Sequence, residues 1–113
     1  MIKVKIGAAD GEIGKMSLEG TIDIAGAAEI EQPFSILSGS RRCVVVDFTR
    51  VDFLASLGVR VLVQSARALG SRGGRLILVG AAEPVRRVLV ACGVDTIVDL
   101  VDSEADAMMV ARR

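Results

Sequence analysis

Apolar residues alternate with lysines at the start of the chain, where Ile2, Val4 and Ile6 are separated by Lys3 and Lys5. A period of two is that of a strand with one covered face, and lysines on the open face suit a sheet edge. Ile13, Met16 and Leu18 predict a second, less regular strand ending at Gly20. Asp23 then precedes a helix-compatible stretch from Ala25 to Leu37, with Ala28, Ile30, Phe34 and Leu37 available for one face. Pro33 inside that stretch predicts a kink or an early break.

The segment Cys43–Phe48, CVVVDF, is a continuous apolar run rich in β-branched residues, as expected of a central strand covered on both faces. A polar link at Thr49 and Arg50 and a short apolar stretch through Phe53 and Leu54 follow, and a helix begins near Ser56. Val61, Leu62, Ser65, Ala66 and Leu69 share one side of it, while Arg60, Gln64, Arg67 and Ser71 recur on the other. Gly70, Gly73 and Gly74 close that helix before another strand, Leu76 to Val79. Glu83 and Pro84 suit the cap and first position of a short helix that reaches Cys92 and stops at Gly93. Ile97 to Val101 predicts a last strand, and Ser103 with Asp106 starts a terminal helix that carries Met108 and Met109 and ends on Arg112 and Arg113.

Strands separated by helices, without a repeat or linker, predict one α/β domain spanning residues 1–113. The expected architecture is a mixed sheet of four to five strands backed by about four helices. Hydrophobic residues make up 51% of the chain and charged residues 25%, the balance of a self-folding globular domain rather than a disordered one. No apolar run approaches the roughly 20 residues that cross a bilayer, so no membrane insertion and a cytoplasmic location are expected.

The 14 basic and 14 acidic residues cancel, which removes the positive field on which nucleic-acid binding draws. With no Trp or Tyr, and only Phe34, Phe48 and Phe53, bases would also find almost nothing to stack on. Cys43 and Cys92 lie in apolar surroundings and are expected in the core.

The chain has no histidine, so the commonest general base and metal ligand at neutral pH is missing. The stretch GSRGGR at Gly70–Arg75 lies after a helix and before a strand, the reverse of the order in which a loop cradles phosphate. No catalytic residue, cofactor or metal is therefore expected, and a nucleotide-hydrolysing activity is disfavoured.

The segment VDFLASLGV, Val51 to Val59, places a lone hydroxyl, Ser56, among apolar neighbours at a helix start. Two readings are open. Ser56 is a favoured N-cap residue, and Gly58 suits close packing. A phosphate on Ser56 would also be favoured there by free N–H groups and the helix dipole, by about 0.3–1 kcal/mol at an exposed site.

The run VVVDFTRVDFLASLGVRVLV, with GGRLILVGAAEPVRRVLVACGVD and the terminal DSEADAM, resembles the STAS domain of bacterial anti-sigma factor antagonists. The likeness extends from GTID, which holds Gly20 and Asp23, to the last helix. It implies a regulatory protein rather than an enzyme, with Ser56 as the serine phosphorylated by a partner that is both serine kinase and anti-sigma factor. Gly58 matches the family's glycine two residues on, and Asp23 and Asp47 match positions near the phosphorylation site. Phe53, Leu54, Leu57 and Arg60 join them as the implied partner surface. Unphosphorylated, such a domain binds the anti-sigma factor and frees the sigma factor; a PP2C-type phosphatase reverses the modification. The family often has an acidic residue before the serine and Ser or Thr after it, whereas this chain has Ala55 and Leu57. The alternative is a STAS module that takes no phosphate and serves as a scaffold, or as a subunit of a signalling or lipid-transport complex.

Overall fold

In the computed structural model, which describes residues 1–113, the chain runs β1 (Ile2–Ile6), β2 (Ile13–Ile22), α1 (Ile24–Ser40), β3 (Cys43–Leu54) and α2 (Ser56–Gly70). It continues through β4 (Arg75–Val79), α3 (Glu83–Ala91), a short 3-10 turn (Val94–Thr96), β5 (Asp99–Val101) and α4 (Glu104–Ala111). The five strands lie in chain order, with β1 antiparallel to β2 and the other pairs parallel. Parallel crossovers are right-handed, so strands added always to the same edge carry their connecting helices on one face. α1, α2 and α3 cover that face over Met16, Leu18, Val44, Val46, Phe48, Leu76 and Leu78. Only α4 reaches the other face, where Ala107, Met108 and Ala111 pack on Cys43, Val45, Ile77 and Val79.

β3 is covered on both faces from Cys43 to Val46, which accounts for its apolar run. It does not end at Phe48. Its pairing with β2 shifts twice, between Ser17 and Glu19 and between Gly20 and Thr21, where β3 contributes one residue more than its partner. Each bulge reverses which side chains point inward. Val44, Val46 and Phe48 face the core, then Val51, then Leu54. Thr49 and Arg50, expected as a link, are strand residues, and β2 likewise runs past Gly20 to Ile22.

Other boundaries differ for local reasons. α1 continues through Pro33 to Ser40. Buried Ile30, Phe34 and Leu37 hold the helix from the core side, while Glu29, whose carbonyl loses its partner to the proline, is exposed and can turn to water. Ala27, not Ala28, is its buried alanine, and Ile6 of β1 is exposed because nothing covers the end of that edge strand. Ala82 is the N-cap of α3, so Glu83 and Pro84 stand inside the first turn. Cys43 is buried, but Cys92 caps the C-terminus of α3 and is exposed, because that short helix buries only Val85 and Leu89. β5 starts at Asp99 rather than Ile97, since Val94–Thr96 forms the 3-10 turn before it. Ser103 caps α4 by accepting from the Asp106 N–H, as expected, and Arg112 at its end pairs with Asp10 at 2.6 Å. No helix is long and apolar enough to cross a membrane.

α1 and α2 pack side by side, and between them the hydroxyls of Ser38 and Ser65 meet in a buried hydrogen bond. Removing one partner leaves the other without its bond in a buried interface, at a cost of about 1–3 kcal/mol, whereas removing both leaves no orphan. Ser38→Ala and Ser65→Ala should each destabilise the fold, and the double variant should lose clearly less than their sum. Chemical denaturation of the three variants measures this; strict additivity would show that the hydroxyls act independently.

Candidate functional site

The last hydrogen-bonded residues of β2 and β3 are partners: Ile22 faces Leu54 in register, and the Ala55 N–H donates to the Ile22 carbonyl at 2.8 Å. From there the two chains leave the sheet in step. Asp23 and Ala55 are the N-caps of α1 and α2, and Ile24 and Ser56 are their first helical residues. Two helix N-termini therefore emerge side by side at the carboxyl end of the parallel strands, where open α/β sheets carry their sites.

The caps differ. Asp23 accepts from the Gly26 N–H at 2.8 Å and so satisfies the start of α1. Ala55 has no side chain that can do this. Its carbonyl accepts from Gly58 and Val59, while the amides of Ser56 and Leu57 have no intramolecular acceptor. Ser56 is therefore not the N-cap. It is exposed in the first helical position, and its hydroxyl is bonded to nothing.

Around that hydroxyl the surface is apolar. Ile24 is 72% exposed, Phe53 52% and Leu57 41%, in a protein that otherwise buries most of its large aliphatic side chains. The second bulge turns Phe53 outward and its neighbour Leu54 inward. Thr21, the register partner of Phe53, donates from its hydroxyl to Asp52 at 2.9 Å, which ties the two strands just below the site. Arg60 stands exposed on the next turn of α2.

Leu54 and Gly58 lie beneath this surface rather than on it. A Cβ on Gly58 would come within 2.6 Å of Ile22 Cγ2 and 2.7 Å of Leu54 Cδ1, so the glycine lets α2 seat on the paired strand ends. Asp47 is not at this place. It lies beyond both bulges, on the order of 20 Å along the strand, on the face that α4 only partly covers. There it accepts from the Thr49 amide and hydroxyl at 2.9 and 2.6 Å. The structure thus gathers Asp23, Phe53, Leu57 and Arg60 about Ser56, sets Leu54 and Gly58 underneath, and leaves Asp47 out. Ile24 is the neighbour that the sequence did not mark, because the predicted helix begins at Ala25 and leaves Ile24 in the link after Asp23, whereas α1 starts at Ile24 itself.

No three His, Cys, Asp or Glu side chains converge as metal ligands. The arrangement is that of an accessible, unbonded hydroxyl in an exposed apolar surface, with the Asp23 carboxylate beside it already bonded to the Gly26 amide.

These placements predict the behaviour of two variants. Ser56→Ala should leave stability within about 0.5 kcal/mol, because no bond is lost and alanine suits a helix. Gly58→Val should lower it by about 1–3 kcal/mol through overpacking against Ile22 and Leu54, although an exposed helical glycine would gain from replacement. Thermal melting of both variants checks this; a stabilised Gly58→Val would mean that α2 is not seated as described.

Comparison with known proteins follows the same lines. The STAS domain family model matches residues 8–107. Over 92 residues the chain is 32% identical to BtrV of Bordetella bronchiseptica, named as a candidate anti-sigma factor antagonist, covering 80% of this chain and 78% of that protein. An anti-sigma factor antagonist from Mycobacterium paratuberculosis superposes with a TM-score of 0.88 at 29% identity, covering 100% of this chain and 96% of the other. The anti-sigma factor antagonist SpoIIAA of Bacillus, in its unphosphorylated form, superposes with a TM-score of 0.83 at 22% identity, covering 97% and 96%, a likeness of fold. By its family match, its identity to BtrV and its strand order, this chain belongs to the STAS domain family.

Proposed function

We propose that the chain is an anti-sigma factor antagonist, a binding protein rather than an enzyme, whose contact with its partner is governed by phosphorylation of Ser56. The observation that carries this reading is the state of the Ser56 side chain: exposed, without a hydrogen bond, and flanked by Ile24, Phe53 and Leu57. A hydroxyl that caps a helix is spoken for by the fold. One that does not can enter a kinase site without any local unfolding.

The unmodified site presents apolar side chains that a partner can cover, with Asp23 and Arg60 at the margin. A phosphate adds about 1.5 to 2 negative charges in the middle of that surface. Covering it would strip water from the charge, so desolvation opposes the complex. The partner in the unmodified state is a kinase-type anti-sigma factor, which this chain draws away from its sigma factor, and a PP2C-type phosphatase restores the binding form. Kinship supports the role, since BtrV and the mycobacterial relative carry anti-sigma factor antagonist names.

The test uses the anti-sigma factor kinase of the same organism. With ATP and magnesium, intact-mass and peptide spectra should place one phosphate on Ser56. Ser56→Ala should bind the kinase as the parent does and stay bound when ATP is added. Ser56→Asp should lose about tenfold or more in affinity, which corresponds to about 1.4 kcal/mol, with its melting temperature close to the parent's. Phosphate on another residue, or equal binding by both variants, would refute the switch. The protein would then be a STAS scaffold, a reading in which Ala55 and Leu57 need no explanation.

A further inference from the structure

α2 carries no acidic residue in its whole length, from Ser56 to Gly70. Its arginines therefore lack the carboxylate that usually sits one turn away on an exposed helix. Outside α2 seven of the nine arginines are engaged, Arg86 and Arg113 being the exceptions. Arg42 pairs with Glu12, Arg50 with Glu19, Arg75 with Asp99, Arg87 with Glu83 and Arg112 with Asp10. Arg41 and Arg72 bond backbone carbonyls. Arg60 is exposed and has neither an ion pair nor a hydrogen bond.

The position four residues before Arg60, where a Glu or Asp would form the favourable pair, is held by Ser56. An acid N-terminal to its base is the better of the two orientations, and helical side chains lean toward the N-terminus, which aims Arg60 back at the first turn. We infer that phosphate on Ser56 closes an intrahelical ion pair with Arg60, so that one modification both charges the apolar surface and withdraws the arginine from it. The unbonded amides of Ser56 and Leu57 receive the remaining phosphate oxygens.

The inference rests on Ser56 as the phosphoacceptor, and it defines the kind of switch. Phosphorylation strengthens the start of α2, supplying the acid that Ala55 does not, and the fold stays intact while its surface changes. The alternative, in which phosphate loosens the helix and exposes the core, has the opposite thermal signature. The acids nearest by topology are Asp23, already bonded to the Gly26 amide, and Asp52, already bonded to Thr21. Both oppose the phosphate dianion, so the contribution of Arg60 is read by difference.

The experiment uses the full chain with phosphoserine incorporated at position 56 during synthesis, in parent, Arg60→Gln and Arg67→Gln forms. Phosphorus NMR at low ionic strength follows the second ionisation of the phosphate, which lies at a pKa of about 6 in the absence of perturbation. Removing a paired cation disfavours the dianion, so Arg60→Gln should raise that pKa by about 0.3 unit or more. Arg67→Gln, farther along the helix, should leave it in place, and salt should erode the difference. Above the second pKa the phosphorylated parent should melt higher than phosphorylated Arg60→Gln, by more than the unmodified pair differ. A pKa that ignores Arg60→Gln, or that moves equally with Arg67→Gln, overturns the ion pair. Because the phosphate is built in, no kinase is involved: a kinase that leaves Ser56 bare counts against the phosphoacceptor assignment, and a stationary pKa counts against the pair.

Discussion

The register partnership of Ile22 with Leu54, sealed by the bond from the Ala55 amide to the Ile22 carbonyl, sets the geometry on which the site depends. Because both strands end at the same level, both following helices must start there. Each is then held down by what lies beneath it: Asp23 ties its own helix start, and Gly58 lets α2 approach the two strand ends without a side chain between. A slip of one residue between β2 and β3 would turn Leu54 outward and Phe53 inward, and the apolar surface around Ser56 would not exist. The two bulges make this register possible, since with unbroken alternation from Val44 onward Leu54 would still face the core but Val51 would not, and the strand would lose its support halfway along.

Stability and binding are separated in this arrangement. The fold rests on side chains under the site and on the Ser38–Ser65 bond between α1 and α2. The surface rests on Ile24, Phe53 and Leu57, whose exposure leaves apolar area open to water that association can remove. At roughly 25 cal/mol per Å², covering such side chains is a substantial driving force, and it is lost when a charge among them must keep its water. A hydroxyl unbonded in the folded state can be modified without taking anything from the fold, as the proposed switch at Ser56 requires.

Much of the architecture was legible because the residues concerned answer to local rules. Cys43–Val46 is apolar because helices cover both sides of the strand, and Val61, Leu62, Ser65, Ala66 and Leu69 recur at the helical period because one face of α2 meets the sheet. Ser103 and Gly93 announce a helix start and a helix stop by their own chemistry. Ser56 stood out as a lone hydroxyl between the clearest strand and the clearest helix.

What lay beyond the sequence depends on how one segment meets another. The bulges hid the second half of β3, because alternation carries information only while a ladder is regular, and a bulge is a relation between two strands. Ile24, the first residue of α1, is exposed although Gly26 and Ala27 in the same turn are buried, a difference that depends on how that turn meets the strands. Cys92 is apolar in its surroundings but caps a helix too short to bury it. Ser56 was compatible with capping until the structure made Ala55 the cap. The sequence by itself determined the elements and their order, because periodicity and caps are properties of adjacent residues. The tertiary structure decided which hydroxyl was free, which aspartate stood near it and which apolar side chains met water, because these follow from the register of strands far apart in the chain.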